Sequence, residues 1–209
     1  MLAMDEFTIF IVDDDASVRD ALGLTLGLHG YRTAIFASAE NFLHALQPGW
    51  SGCALLDIRL GGMDGLSLQK HLLAVGSTMP VIIMTGHGDV ASAREAFRAQ
   101  ALDFLEKPFS EERLLAAIEE ARQLMTRQQR ETAEHDARNK QLALLTERER
   151  EVMEHVVAGR HNREIAAVLG ISTRTVEVHK ARIMSKLQVG SIADLVRICL
   201  QHRGTRATQ

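Results

Sequence analysis

The sequence predicts an α/β domain of five parallel strands wound by helices on both faces, followed by a smaller all-helical domain. Two observations carry that prediction. Short β-rich apolar runs alternate with helix-period segments through the first 125 residues, and strand-like runs then cease. The charge divides along the same line, −8 over residues 1–125 and +4 over residues 142–209 in a chain whose net charge is −3, which suggests different partners for the two halves. At 209 residues, with 46% hydrophobic and 24% charged, the chain is long enough for two ordinary globular domains.

Strand candidates are Phe7–Val12, Arg32–Phe36, Cys53–Leu56, Val81–Met84 and Phe104–Leu105. Between them fall helical stretches at Ala16–His29, which Gly30 ends, and near Ala39–Leu46, Leu66–Val75 and Val90–Ala99, with a last one at Glu111–Met125. Residues 126–141 lack apolar periodicity and hold no Gly or Pro, which reads as a solvated helical linker extending the preceding helix. Thr146 and Glu149 form a capping-box pair that opens a helix running to Gly159. Further helices are expected at Arg163–Leu169, from Ser172 to Leu187, and at Ile192–Leu200.

Several function classes are set aside. Met1–Phe10 holds no signal-peptide pattern and no apolar run approaches 18 residues, so a cytoplasmic protein without membrane partners is expected. Cys53 and Cys199, one in each half, read as buried free thiols. The nine histidines include no pair with zinc-site spacing. Gly86 and Gly88 are not followed by a phosphate-cradling loop pattern.

In an open parallel sheet, chemistry sits at the carboxyl ends of the strands, where strand order reverses. Here those ends carry Asp13-Asp14-Asp15, Asp57, Thr85 and Lys107-Pro108. Converging carboxylates repel unless a cation neutralises them, and a partial set of oxygen ligands suits Mg²⁺. A lysine and a hydroxyl beside them can receive phosphoryl oxygens, and a lone carboxylate at the end of the central strand, Asp57, can itself accept the phosphoryl group.

Val12–Asp15, Asp57 with Gly65 eight residues on, Thr85-Gly86-His87-Gly88-Asp89 and Glu106-Lys107-Pro108-Phe109 resemble the receiver domain of response regulators over about residues 6–125. The resemblance implies a flavodoxin-like fold and phosphorylation of Asp57 by a sensor histidine kinase. It implies Mg²⁺ held by Asp13, Asp14, Asp57 and the backbone carbonyl of Arg59. It implies Lys107 and Thr85 on the phosphoryl oxygens, a switch pair of Thr85 and Phe104, and a cis peptide before Pro108. One departure is Gly61-Gly62, where family members commonly have proline four residues after the acceptor. The glycines are expected to loosen the loop and to alter kinase docking or phosphate lifetime.

The short helix Arg163–Leu169, the turn Gly170–Ser172 and the helix Thr173–Leu187 make a helix-turn-helix. In the last of these Val176, Ile183 and Leu187 share a packing face, while Arg174, Lys180, Arg182 and Lys186 place charge elsewhere and Val178 and Ala181 point outward. Leu145–Val152, Gly159–Ala166 and Ile171–His179 with Lys186-Leu187 resemble the LuxR-type domain, and the whole chain resembles the NarL/FixJ class of response regulators, on its FixJ side. The resemblance implies base contacts by Glu177, Val178 and Ala181, phosphate contacts near Thr175, His179, Lys180 and Arg182, and dimerisation through Ile192, Leu195, Val196 and Cys199. The expected organisation is a receiver over 6–125, a linker over 126–141 and a four-helix DNA-binding domain over 142–204.

The resulting expectation is no enzyme but a phosphorylation-switched transcriptional regulator that dimerises, with promoter DNA and RNA polymerase as partners of the basic half. Two alternatives stand beside it. Asp13-x-Asp15-x-Ser17 superficially resembles the nucleophile motif of haloacid dehalogenase-type phosphatases, although the domain barely has room for their cap. The receiver is alternatively a constitutive dimerisation module, a reading that an intact acidic site disfavours.

Overall fold

The computed structural model describes residues 7–86 and 100–206, with side chains as far as Cys199. The expected helix at Val90–Ala99 and the His87-Gly88-Asp89 stretch lie outside the described residues. The chain divides after Gln128 into two compact units.

The first unit holds strands β1 (Thr8–Val12), β2 (Arg32–Phe36), β3 (Gly52–Asp57), β4 (Val81–Thr85) and β5 (Asp103–Glu106), in the order β2-β1-β3-β4-β5. All four pairings are parallel. Its described helices are α1 (Ala16–Leu28), α2 (Ala39–Ala45), α3 (Gly65–Ala74) and the first part of α4 (Glu111–Ala143), which continues past Gln128 through the residues expected to form the linker. This is the doubly wound sheet that the strand–helix alternation predicts.

The period of two in the strands sorts the core into two layers. Phe10, Val12, Ala54, Leu56, Val81 and Ile83 face one way and pack with Phe42 of α2 and Leu66, Leu68 and Leu72 of α3. Ile9, Ile11, Cys53, Leu55, Ile82 and Met84 face the other way and pack with Leu22 and Leu26 of α1 and Leu114, Ala117, Ile118 and Ala121 of α4. Every β3 residue is buried, so the central strand reads as a continuous apolar run ending in one carboxylate. Burial pushes the Cys53 thiol up to about 12, which keeps it an inert core group.

The second unit is helical. Helix α5 (Glu147–Val157) opens with the expected capping box of Thr146 and Glu149. Helix α6 (Asn162–Leu169) ends at Gly170 in the left-handed conformation, at φ 65°. The Ser172 side chain accepts from Thr175 N–H and caps α7 (Thr173–Leu187), and α8 is Ile192–Arg206. Val152, Val156, Ile165, Val176, Ile183, Leu187, Leu195 and Cys199 form its core. Among the described residues no helix is long and apolar enough to cross a membrane.

Candidate functional site

Strand order decides where the acids meet. The chain goes from β1 outward to β2 and then returns to the other side of β1 with β3, so β1 and β3 flank the reversal point. Their register pairs Val12 with Leu56, so the next residues, Asp13 and Asp57, leave the two strands side by side. Both are buried, Asp13 1% and Asp57 6% exposed.

Lys107, at the end of β5, reaches across to both. Its ammonium donates to Asp13 Oδ2 at 2.6 Å and to Asp57 Oδ1 at 2.6 Å. Its own backbone N–H donates to the carbonyl of Thr85, and the peptide between Lys107 and Pro108 is cis, as expected. The remaining acid oxygens also have partners: Asp13 Oδ1 accepts from Asp15 N–H at 2.9 Å and Asp57 Oδ2 from Arg59 N–H at 2.7 Å. Arg19 donates to the Asp13 carbonyl, holding the loop after β1 to α1.

Burial pushes the Asp57 carboxyl above its ordinary value, and the neighbouring Asp13 charge adds to this, while the bonds from Lys107 and Arg59 N–H oppose it. For Lys107 burial works downward, but the bonds and charges of the two aspartates outweigh it and the net shift is upward. The crevice therefore holds a firmly protonated lysine beside a carboxylate whose ionisation is disfavoured by its surroundings.

The other expected site residues divide. Asp14 is exposed. Thr85 is 3% exposed and, by strand alternation, shares a sheet face with Ile83 and with Phe104, which packs half-buried against that layer. Asp15, by contrast, caps α1: its carboxylate accepts from Ser17 N–H at 2.8 Å and from Ser17 Oγ at 2.6 Å. That removes two of the three residues on which the phosphatase alternative rested. Gly65 is fixed by close approach, since a Cβ there would lie 2.1 Å from the Asp57 carbonyl oxygen.

Mg²⁺ was expected on Asp13, Asp14, Asp57 and the Arg59 carbonyl. The donor set is all hard oxygen, which fits that ion. Among the described residues, however, no three His, Cys, Asp or Glu side chains already stand as a ligand group. Two of those four ligands, Asp13 and Asp57, share the Lys107 ammonium.

In the second unit, helix α7 buries Val176, Ile183 and Leu187 and exposes Arg174, Glu177, Val178, Ala181 and Arg182. Thr175, His179, Lys180 and Lys186 are half-buried. Thr175 Oγ1 hydrogen-bonds Ser172 Oγ at 2.8 Å, and Lys180 donates to Asn162 Oδ1 at 3.1 Å. Lys186 donates to Glu149 Oε2 at 2.7 Å and to the Leu144 carbonyl at 3.1 Å, so its ammonium is engaged inside the unit, whereas Arg174 and Arg182 are exposed. Glu149 is buried, and Lys186 together with the Thr146 N–H lowers its carboxyl to about 2. Sequence reasoning missed this pair; Glu149 was legible only as the capping-box acid. In α8, Leu195 and Cys199 lie in the core, Val196 is half-buried and Ile192 is 44% exposed.

The model of the response regulator receiver domain matches residues 9–119, and that of the LuxR family of bacterial regulatory proteins matches residues 143–199. The chain is 45% identical over 195 residues to the transcriptional regulatory protein FixJ of Bradyrhizobium diazoefficiens, covering 92% of this chain and 94% of that one. Among solved structures it is similar to the response regulator StyR, with TM-score 0.84 and 39% identity over 94% of this chain and 99% of that one. It is also similar to full-length FixJ from B. japonicum, with TM-score 0.59 and 42% identity over 96% and 98%. Two adjoining aspartates bridged by one lysine at a strand-order reversal, ahead of a helix-turn-helix, thus agree with the sequence relationships: the chain belongs to the response regulators that join a receiver domain to a LuxR-type DNA-binding domain, a family of phosphorylation-dependent transcriptional regulators rather than enzymes.

Proposed function

We propose that Asp57 is the phosphoacceptor and that its phosphorylation controls DNA binding by α7. The observation that carries this reading is the Lys107 ammonium at 2.6 Å from both Asp13 and Asp57. A receiver domain implies a histidine kinase as donor, and a LuxR-type domain implies DNA as target.

Burial makes the ionised Asp57 carboxylate more basic and so a stronger nucleophile toward phosphorus. A carboxylate oxygen forms the new P–O bond while the bond to the donor's leaving group breaks, and the product is an acyl phosphate. Lys107 exchanges its bond to Asp57 for one to a phosphoryl oxygen, and the Thr85 hydroxyl receives a second. Mg²⁺ held by Asp13, Asp14, Asp57 and the Arg59 carbonyl would offset the charge of three acids and the phosphoryl group. Movement of Thr85 toward the phosphoryl group frees space on the face that it shares with Phe104, and the ring turns inward, the two-state element that phosphorylation biases. A second copy of the chain then pairs with the first.

On DNA, Glu177, Val178 and Ala181 meet base edges and Arg174 and Arg182 meet phosphates, with Thr175 and His179 at the margin. Lys180 exchanges Asn162 for a phosphate, whereas Lys186 acts by holding α7 on α5. Ile192 and Val196 are the residues of α8 placed to meet a partner copy, which lets a dimer read an inverted repeat. The protein acts in the cytoplasm, with RNA polymerase as its downstream partner.

The test is incubation with Mg²⁺ and acetyl phosphate, read by intact mass and size-exclusion chromatography beside Asp57→Ala. One added phosphoryl group that vanishes in the variant, together with dimer formation, is the expected result. Folded wild-type protein that takes no phosphoryl group overturns the reading.

A further inference from the structure

The loop after Asp57 is held from outside by a residue that the receiver chemistry does not require. Glu40 lies in the first turn of α2, and its Oε1 accepts a hydrogen bond from the backbone N–H of Met63 at 2.8 Å, across 23 positions of sequence. That bond is the leading reason its carboxyl is lowered. The preceding residue is Gly62, where a Cβ would stand 2.6 Å from Glu40 Oε1 and 3.2 Å from its Cδ. Gly62 does not have a positive φ, so its backbone conformation does not call for glycine; a side chain there would instead displace the Glu40 carboxylate from its bond to Met63. One residue earlier, a Cβ on Gly61 would come within 4.0 Å of Asp14 Oδ2, so the segment that Glu40 holds runs beside the acidic pocket.

We infer that Glu40 is a positioning residue for phosphoryl transfer at Asp57. Its carboxylate ties down the Met63 N–H and thereby sets the backbone from Arg59 to Gly62 along the pocket. This rests on the phosphoacceptor reading above. The Gly61-Gly62 pair, expected from sequence to loosen the loop, admits that bond instead. A plainer role also exists for Glu40, since an acid in the first turn of a helix favours the helix dipole. The two roles separate cleanly. A glutamine loses the charge and keeps the acceptor oxygen, whereas Gly62→Ala keeps the charge and pushes the flexible carboxylate away from Met63.

The experiment measures, for each folded variant, the Mg²⁺ concentration giving half-maximal phosphorylation by acetyl phosphate, together with hydrogen exchange at the Met63 amide. Wild-type labelling at Asp57 is the control that tests the phosphoacceptor reading itself. Glu40→Ala is expected to raise the half-maximal Mg²⁺ concentration on the order of tenfold, as loss of groups that orient a ligand shell does, and to speed exchange at Met63. Glu40→Gln stays close to wild type in both. Gly62→Ala behaves like Glu40→Ala, and the double variant is no worse than either, because both act on one bond. If Glu40→Ala destabilises the receiver too far to be assayed, Gly62→Ala carries the test alone. The inference is overturned if wild type is labelled and Gly62→Ala matches it in both readouts. It is overturned equally if Glu40→Gln is as defective as Glu40→Ala, or if the two single defects add.

Discussion

Two lysines, one in each unit, sit against buried carboxylates at nearly equal distances and do different things. Lys107 lies 2.6 Å from both Asp13 and Asp57, and Lys186 lies 2.7 Å from Glu149. Beside Lys107 the Asp57 carboxyl is raised by burial and by the second acid, so the lysine neutralises a crevice that still disfavours charge. Beside Lys186 the Glu149 carboxyl falls to about 2, because a backbone N–H and the ammonium both satisfy it and no second acid competes. A strained pair leaves a nucleophile and a lysine ready to exchange partners; a satisfied pair locks two helices together. The direction of the acid's shift, more than the short contact, separates a site from a strut.

Breaking the first pair gives the largest effect. Lys107→Met should slow acetyl phosphate labelling of Asp57 about 10²-fold, the scale of losing one charge-stabilising group at a reacting centre, as read by intact-mass time courses. Labelling at the wild-type rate would sink the role assigned to Lys107.

Breaking the second pair should act on stability instead. Lys186→Ala strands a buried carboxylate and should cost the second unit about 2 kcal/mol, below the 3–5 kcal/mol of fully buried pairs because the lysine is 36% exposed. Its pH signature follows from the lowered carboxyl. The contribution is complete above the ordinary value of 4.5 and is lost as pH falls from there toward about 2. Wild type and Lys186→Ala should therefore converge in thermal melts across that acid range, and a gap that persists there would refute the assignment.

The smallest effect sharpens the contrast by its sign. Because the folded Asp57 carboxyl is raised, its ionised form costs the fold at neutral pH. Asp57→Asn should thus stabilise the first unit by about 1 kcal/mol near pH 7, with the gain shrinking once acid protonates the wild-type carboxyl. A loss of stability at neutral pH would mean that the bonds from Lys107 and Arg59 outweigh burial, contrary to the balance drawn here.

Much of the receiver was legible because its signals are local. A buried parallel strand must be apolar throughout, so Asp57 at the end of CALL stood out, and Thr146 with Glu149 announced a helix start three residues apart. What escaped was partnership across distance. Nothing in the spacing of Glu149 and Lys186 tells that α7 lies against α5, so Lys186 was grouped with Arg174 and Arg182 as surface charge. Leu195 and Cys199, expected on a dimer face, are buried in the core of their own unit, since periodicity reveals an apolar stripe and not which surface it meets. The bond from Met63 N–H to Glu40 was equally invisible at Gly61-Gly62, because the carboxylate beside Gly62 stands more than 20 positions earlier.

By itself the sequence determined the alternation of strands and helices, the division of charge between the halves and the residue types at the strand ends, since all three follow from period, composition and order along the chain. Only the tertiary structure decided which of those groups share one crevice, which lysine is held inside its unit and which carboxylate bonds the loop beside Asp57. Burial, register and the angle of a side chain set those outcomes, and they exist only once the strands pair and the helices pack.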